Sequence, residues 1–326
     1  MRSYVLSRLG WGAVIVLCIL VLNFLIVHMV PGDPLHALLG DFPVPPGYAE
    51  QIRADFGLDQ PLSTQLGLYL FNLAQGKLGF SFANRMPVLG LILARLGPTL
   101  LLMLPALFFA AVLGVLLGVT AAPRAGSVQD SALTAISLFG YSVPIFWLGQ
   151  MLVIVFAIQL GWLPVQGMRN MREELHGIDG VLDVLKHLLL PAFSVMIFYI
   201  AIVARVARAS VAEALHHDYV LTAKAKGLSR RTILWRHVLP NAMIPVVTVI
   251  GYNFGQSLTG AILVETVFGW PGIGNLFITS ITNRDYPVLQ GIFLVTAVSV
   301  VLINLLTDLL YAVLDPRVRT SHEART

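Results

Sequence analysis

The chain has 326 residues, of which 57% are hydrophobic and only 12% are charged, with a formal net charge of +4. Soluble proteins average about 45–50% apolar and about 25% charged residues, so this composition, with a mean hydropathy of +0.80, excludes the soluble class. The chain is predicted to be an all-α polytopic membrane protein, and its single cysteine, Cys18, excludes an intramolecular disulfide.

The first predicted element is residues 1–30, in which Arg2 and Arg8 accompany a long apolar stretch. This stretch is too long for the core of a signal peptide and no small-residue cleavage site follows it, so it predicts a retained first transmembrane helix preceded by a short interfacial segment. Residues 31–96 are predicted to form an extracytoplasmic loop. Within it, apolar residues at helical spacing over 61–74 predict an amphipathic helix lying at the outer membrane surface.

Five further spans are predicted in residues 97–326, at about 97–121, 131–160, 188–204, 243–268 and 288–314. Gly114 and Gly118 form a small-xxx-small pair, which lets helix backbones approach each other. Pro144 is expected to kink the third span, because proline removes a helical hydrogen bond. Lys and Arg favour the two termini and the even-numbered loops, so both termini are predicted to be cytoplasmic.

The longest polar and basic segment between apolar stretches lies at residues 205–242 and is predicted to be cytoplasmic. Asp218 is expected to cap a short helix that runs through Lys226, and Gly227 to end it in the left-handed conformation. Ser229 is expected to cap a second short helix, which Pro240 stops. A basic loop beside membrane helices is expected from the positive-inside rule alone; the alternative is a docking surface, to which Ala223, Ala225 and Gly227 would give a close approach.

Polar residues inside the fifth span are Asn253, Gln256, Ser257 and Thr259. Because residues three and four apart share a helix face, they predict either a hydrogen-bonding seam between helices or one side of a translocation path. After this span, the segment 268–274 is dense in glycine and proline, which predicts an irregular turn at membrane depth. This turn is either a structural re-entrant element or an outer gate.

Signatures of enzymatic chemistry are missing from the sequence. There is no Gly-x-x-x-x-Gly-Lys-Ser/Thr phosphate loop, no His-Glu-x-x-His and no Gly-x-Ser-x-Gly, so no catalytic, cofactor-binding or metal-binding residues are predicted. His216 and His217 point about 100° apart on a helix and do not form a ligand pair. A secondary transporter, an intramembrane enzyme and a purely structural membrane protein remain as alternative classes.

Several motifs resemble the permease subunits of ABC importers, specifically the peptide/nickel branch. The segment 205–242 resembles their coupling loop through residues that are spread along it: Asp218, Tyr219, Thr222, Ala223, Lys224, Ala225, Lys226, Gly227, His237, Leu239, Pro240 and Asn241. The octet at 140–147, Gly-Tyr-Ser-Val-Pro-Ile-Phe-Trp, is similar to dipeptide permeases. Leu221 departs from the branch, which often has arginine at this place.

The resemblance implies a type I ABC importer permease with six transmembrane helices in a bacterial inner membrane. It implies a second homologous permease, two ATP-hydrolysing subunits and an extracytoplasmic solute-binding protein as partners, besides membrane lipid. The implied substrates are di- or oligopeptides, with nickel, a metallophore or glutathione as alternatives. In the family, the central helices line the pore, which favours the path interpretation for the fifth span, and the turn after it is a candidate outer gate through Gly269, Trp270, Pro271, Gly272 and Gly274.

Overall fold

The structure is a computed structural model that describes residues 2–29, 45, 47, 50, 51, 53, 59–81, 83–124 and 126–314. Side chains within these residues are described except at 2–6, 27, 129, 257–261, 308 and 310–314. Packing divides the chain into two units. The core unit comprises Leu101–Trp270 and the described part of Ile303–Thr326, and the second unit comprises Arg2–Leu100 and Pro271–Leu302.

The second unit begins with helix α1 (Arg2–Met29), against which helix α2 (Leu62–Ala74) packs. The Phe24 and Tyr69 rings lie 5.7 Å apart, and the His28 Nε2 atom lies 2.9 Å from the Gln65 Oε1 atom. The predicted helix over 61–74 is therefore present. Its placement at the outer membrane surface stays a prediction.

A small hairpin follows, with strands β1 (Phe80–Ser81) and β2 (Met86–Pro87) paired antiparallel so that Phe80 lies opposite Pro87. The predicted all-α class is confirmed, and this hairpin is a small addition to it, because two-residue strands leave no periodic pattern in a sequence. The Ser81 hydroxyl donates to the buried Asp285 carboxylate at 2.5 Å. This bond ties the hairpin to the start of the last helix.

Helix α3 (Val88–Ala121) runs from the second unit into the core unit, and a 3₁₀ turn at Ala122–Arg124 ends it. It starts at Val88 rather than near residue 97, so the non-helical part of the predicted 31–96 loop is shorter than expected. The Gly114 and Gly118 pair brings α3 against α6 (Gly177–Ala214), as predicted: a Cβ atom at Gly118 would lie 2.6 Å from the Ala204 carbonyl oxygen.

The third predicted span is broken into two helices, α4 (Val128–Ser142) and α5 (Ile145–Leu152), of which the second continues as a π-helical turn at Val153–Gln159. The two halves are bent by 95°. Pro144 lies at the break, at the N-cap position of α5, with a φ of −59° and a ψ of 129°. The expected kink is therefore a full break in the helix.

Helix α6 (Gly177–Ala214) is much longer than the predicted fourth span at 188–204. Its 38 residues correspond to about 57 Å, against about 30 Å for a bilayer core. The additional first turns contain charged residues, which is why hydropathy missed them. The Asp183 carboxylate explains their order, because it accepts the Asn170 N–H at 2.7 Å and so holds the preceding loop against the helix.

The rest of the chain is helical: α7 (Asp218–Ala225), α8 (Arg230–Thr232), a π-helical turn (Ile233–Val238), α9 (Leu239–Val267), α10 (Ile273–Thr282) and α11 (Tyr286–Leu314). Among the described residues, five helices are long and apolar enough to span a membrane, or six if the bent pair is one span. A buried apolar cluster in the core unit joins α3, α6 and α9 through residues such as Met103, Val195 and Val264.

Candidate functional site

The segment 205–242, hereafter the coupling segment, starts at the C-terminal turns of α6. Helix α7 then begins at Asp218, preceded by His217 as its N-cap residue. The prediction that Asp218 caps this helix is wrong by one position, since His217 has the extended cap conformation and Asp218 is the first helical residue. The Asp218 carboxylate still lies in the first turn, where the helix dipole favours negative charge.

The end of α7 has the predicted geometry. Gly227 has a φ of 73°, and its N–H donates to the Lys224 carbonyl at 2.9 Å, while the Leu228 N–H donates to the Ala223 carbonyl at 3.3 Å. This is the paired hydrogen bonding of a glycine-terminated helix. The Ser229 hydroxyl then accepts the Thr232 N–H at 3.2 Å, so Ser229 caps α8 as expected.

Pro240 does not stop the second helix as predicted. The chain passes from α8 through the π-helical turn at Ile233–Val238 into α9, and Pro240 lies in the first turn of α9. Proline is tolerated in a first turn, and the wider π turn before it gives space for the ring that would clash with an α-helical carbonyl. The coupling segment is therefore joined to the fifth span without a loop.

One face of the coupling segment is buried against three spans. Val220 and Ala223 of α7 pack in an apolar cluster with residues from the end of α3 and its 3₁₀ turn, the end of α6, the π-helical turn and the start of α9: Val119, Ala122, Val211, Ala214, Ile233, Val238 and Ala242. Ala223 is only 5% exposed, so the prediction that it belongs to an open small-residue surface is wrong. Ala225 and Gly227 are exposed.

The opposite face is exposed and combines apolar with basic side chains. Leu221 is 61% exposed and Leu228 is 37% exposed, and around them the exposed polar residues are Thr222, Lys224, Lys226, Arg230 and Arg231. Sequence reasoning treated Leu221 only as a departure from the family pattern and did not include Leu228. Leu221 lies one residue, about 100°, away from the buried Val220 on α7, whereas Leu228 follows the end of α7, so helical spacing could have indicated only Leu221.

The remaining predicted residues of the coupling segment lie at the edges of this surface. Tyr219 is half-buried, with its ring stacked 5.8 Å from the His217 ring. His237 and Leu239 are also half-buried, whereas Asn241 is exposed and donates through Nδ2 to the His237 carbonyl at 2.8 Å. Asn241 therefore stabilises the turn that leads into α9.

The polar residues of the fifth span do not share one environment. Asn253 is 6% exposed and lines a water-sized hollow between α3, α6 and α9, beside Leu107 and Tyr199. Gln256 is exposed, and its Nε2 atom lies 3.4 Å from the Tyr252 hydroxyl. Residues three apart are about 60° apart around a helix, and the edge of the packed face falls between these two. The side chains of Ser257 and Thr259 lie outside the described residues.

An irregular turn follows α9, as predicted. Gly269 has a φ of 57°, and Trp270 is fully buried in the core unit, with its N–H donating to the Glu265 carbonyl at 2.8 Å. The Gly167 N–H donates to the Phe268 carbonyl at 2.8 Å, so the loop before α6 holds this turn.

In the second unit, the chain continues from Pro271 into α10, which Gly272 precedes as its N-cap residue. The Ile273 N–H donates to the Thr99 hydroxyl at 2.8 Å, and the Pro271 carbonyl accepts from Arg95. Gly274 is helical and belongs to the first turn of α10 rather than to the irregular turn.

The family of the chain follows from its sequence matches. Residues 114–320 match the model of the "Binding-protein-dependent transport system inner membrane component", and residues 1–103 match the N-terminal model of the same system. The chain belongs to this family of importer permeases. It is thus a multi-pass protein of a bacterial inner membrane and a permease of ABC importers, in which partner subunits hydrolyse ATP.

Curated relatives of this permease match it over nearly its full length. The "Di/tripeptide transport system permease protein DppB" of Pseudomonas aeruginosa is 40% identical over 98% of the chain and 99% of the relative. The "Dipeptide transport system permease protein DppB" of Escherichia coli strain K12 is 39% identical with the same coverage.

A solved structure of an inward-facing MetNI methionine ABC transporter supports the fold. One of its chains matches the permease with a TM-score of 0.55 and 16% identity, over 69% of this chain and 96% of that chain. At this identity the likeness concerns the fold alone. Together with the family match, it supports the expected ABC importer permease architecture.

Proposed function

We propose that this permease carries di- or oligopeptides across the inner membrane, as one of two homologous permease subunits that work with two ATPase subunits and an extracytoplasmic solute-binding protein. The names of its relatives support the peptide substrate. Partner ATPase and binding-protein subunits are implied by the family.

The two faces of the coupling segment are the main structural support for this function. Its outward face is open, with exposed Leu221 and Leu228 among lysine and arginine side chains. Its inward face is packed against the ends of α3, α6 and α9. An apolar centre within a polar rim is the usual composition of a protein interface, so a partner gripping the outward face would move three spans together.

The mechanism we propose is alternating access. Closure of the ATPase subunits moves the coupling segment, and the packed face carries this movement into the spans around the central path. The coupling then has a physical basis in one two-state element that both the ATPases and the solute bias. The permease itself supplies no covalent chemistry.

For the translocation path, we propose the exposed edge of α9 at Gln256 and Tyr252, with Ser257 and Thr259 as further candidates. Asn253 is enclosed by α3 and α6, which favours a role in helix packing over contact with solute. For the turn at Gly269 and Trp270, complete burial of the indole and two backbone hydrogen bonds favour a fixed outer element rather than a moving gate.

Reconstitution of the complete importer in proteoliposomes tests the substrate. A labelled dipeptide should accumulate only when ATP, the ATPases and the binding protein are present, and unlabelled peptides should compete. Competition by glutathione or a nickel chelate but not by peptides would instead support the alternative substrates. Accumulation without ATPase subunits would overturn the proposed function.

The docking surface is tested by Leu221→Asp, with Leu221→Met as the matched control. Because Leu221 is 61% exposed, the aspartate should leave insertion and folding intact. It places a negative, strongly hydrated group in the apolar centre of the proposed interface, so the affinity for the ATPase subunits should fall by about tenfold or more. Co-purification with the ATPases measures the effect, and equal recovery with both variants would contradict the assignment.

A further inference from the structure

Asp130 is a buried carboxylate at the start of α4, only 4% exposed. Its Oδ1 atom accepts from Arg208 Nε, and its Oδ2 atom accepts from Arg208 Nη2 at 2.6 Å and from the Gly126 N–H at 2.9 Å. Its own N–H donates to the hydroxyl of Ser127, the N-cap residue of α4. Arg208 and Asp130 therefore form a bidentate ion pair, which fixes the orientation of the guanidinium relative to the carboxylate as well as their distance.

Arg208 lies near the C-terminal end of α6, less than one turn before Val211, the first α6 residue of the coupling segment's buried cluster. The backbones of α3 and α6 also lie close together here, since a Cβ atom at Gly118 of α3 would lie 2.7 Å from the Arg208 backbone nitrogen. Asp130 is thus attached to the part of α6 on which α7 packs.

Helix α4 lies antiparallel along α6 from this ion pair to its other end. Near that end, a Cβ atom at Gly140 would lie 3.6 Å from the Ala201 Cβ. The Tyr141 ring stacks on Phe198 at 5.5 Å and receives the Arg205 guanidinium at 5.4 Å from its centroid. Beyond Tyr141 comes the 95° break at Pro144. Helix α4 therefore spans the distance between the coupling end of α6 and the broken third span.

The ion pair between Asp130 and Arg208 is better explained by the placement of α4 on α6 than by a contribution to the stability of the fold. Burying the Asp130 carboxylate removes its charge from water, whereas the Arg208 side chain stays 30% exposed, so the desolvation cost offsets much of the attraction within the pair. The bidentate pair instead fixes the register of α4 against α6. The contacts at Gly140 are apolar and have no directional bond, whereas the pair at Asp130 and Arg208 sets the positions of donor and acceptor atoms.

We propose that Asp130 and Arg208 are positioning residues that lock α4 to the coupling end of α6, so that movement of the coupling segment reaches the break at Pro144. The inference rests on the proposed function, because it assumes that the coupling segment moves under ATP hydrolysis. It assigns to the third span a direct mechanical link to the coupling segment.

The test uses the complete importer in proteoliposomes and measures the dipeptide imported per ATP hydrolysed. Asp130→Asn and Arg208→Gln should assemble with the ATPases and hydrolyse ATP, yet import about tenfold less peptide per ATP, because the link between the two movements is loosened. Arg208→Lys keeps the positive charge but loses the bidentate hydrogen bonding of the guanidinium. The peptide that it imports per ATP should lie between the values of the wild type and Arg208→Gln. Arg124→Gln is the matched control: Arg124 is exposed, and its guanidinium donates locally, to the Thr120 carbonyl at the end of α3.

A purely structural role would lower the amount of assembled complex and leave the peptide imported per ATP unchanged; that result overturns the inference. If Asp130→Asn does not assemble, Arg208→Lys decides the question by the same ratio. If the wild-type complex imports no peptide with ATP, the proposed function fails instead. The two failures are therefore distinguishable.

Discussion

The coupling segment and the turn after α9 share their local chemistry but differ in their surroundings. Each contains a glycine at positive φ, Gly227 at 73° and Gly269 at 57°, and each has a tryptophan close in sequence. Trp235 is 39% exposed, whereas Trp270 is fully buried. A Cβ atom at Gly227 would meet nothing within 4 Å, but one at Gly269 would contact Gln166 at 3.5 Å.

This contrast shows that positive-φ glycines and aromatic residues do not by themselves identify a functional surface. In the turn after α9, the chain's own loop at Gln166 and Gly167 occupies the space around the glycine. In the coupling segment, the outward space is open. The space around the turn after α9 is filled by the chain itself, whereas the space outside the coupling segment is proposed to be filled by another protein.

The largest expected effect separates the two tryptophans. Trp270→Ala removes a fully buried indole and should destabilise the core unit by about 3–5 kcal/mol, whereas Trp235→Ala should cost less than about 1 kcal/mol. Thermal unfolding of both variants in the same detergent measures the difference. Similar melting temperatures for the two variants would break the comparison, because burial would then not distinguish the regions.

The two glycines should differ in function rather than in stability. Gly227→Ala and Gly269→Ala each force a Cβ atom into the left-handed conformation, at a cost of about 1–2 kcal/mol. Only Gly227→Ala should also weaken ATPase binding, since it distorts the exposed end of α7. Unfolding measurements and ATPase co-purification on the same preparations check both parts, and weaker co-purification of Gly269→Ala would contradict the proposal.

The smallest expected effect is a pH dependence in the second unit. Burial raises the pKa of the Asp285 carboxyl, although hydrogen bonds from Ser81, Asn84 and the Val288 N–H act in the opposite direction. The folded chain therefore keeps this proton to a higher pH than the unfolded chain. The stability that the carboxyl contributes is fully present below the ordinary aspartate pKa of about 4 and is lost as the pH rises through the raised value.

Wild-type protein should accordingly lose more thermal stability than Asp285→Asn between pH about 4 and neutral pH. Asp218→Asn is the control, because Asp218 lies on the exposed coupling segment. Identical pH profiles for wild type and Asp285→Asn would show that this buried carboxyl does not contribute a pH-dependent stability that the exposed Asp218 lacks.

Local features were predicted well where short-range chemistry decides them. Gly227 and Ser229 have the predicted roles because helix termination and capping depend on a few neighbouring residues. The close approach at Gly118 was also predictable, since small residues four apart mark a helix contact. Pro240 was misjudged, because its effect depends on the π turn before it, which no sequence pattern announces.

Features that depend on tertiary packing were not predictable. Hydropathy finds the part of a helix that matches a bilayer, so it missed the first turns of α6, which the loop at Asn170 holds in place. The faces of α9 were assigned by spacing, but the boundary between Asn253 and Gln256 is set by which neighbours pack there. The inward direction of Ala223 is likewise set by the neighbours that pack against it.

The π turn at Ile233–Val238 has a consequence for how this chain tolerates change in length. A π turn closes its hydrogen-bonded ring with one residue more than an α turn. Removing that residue would convert the π turn to an α turn and fuse α8 and α9 into one α-helix, with little change in the direction of Arg230 and Arg231 relative to α9. A single deletion here should therefore be harmful mainly at Pro240, because the narrower turn would bring the proline ring against an α-helical carbonyl.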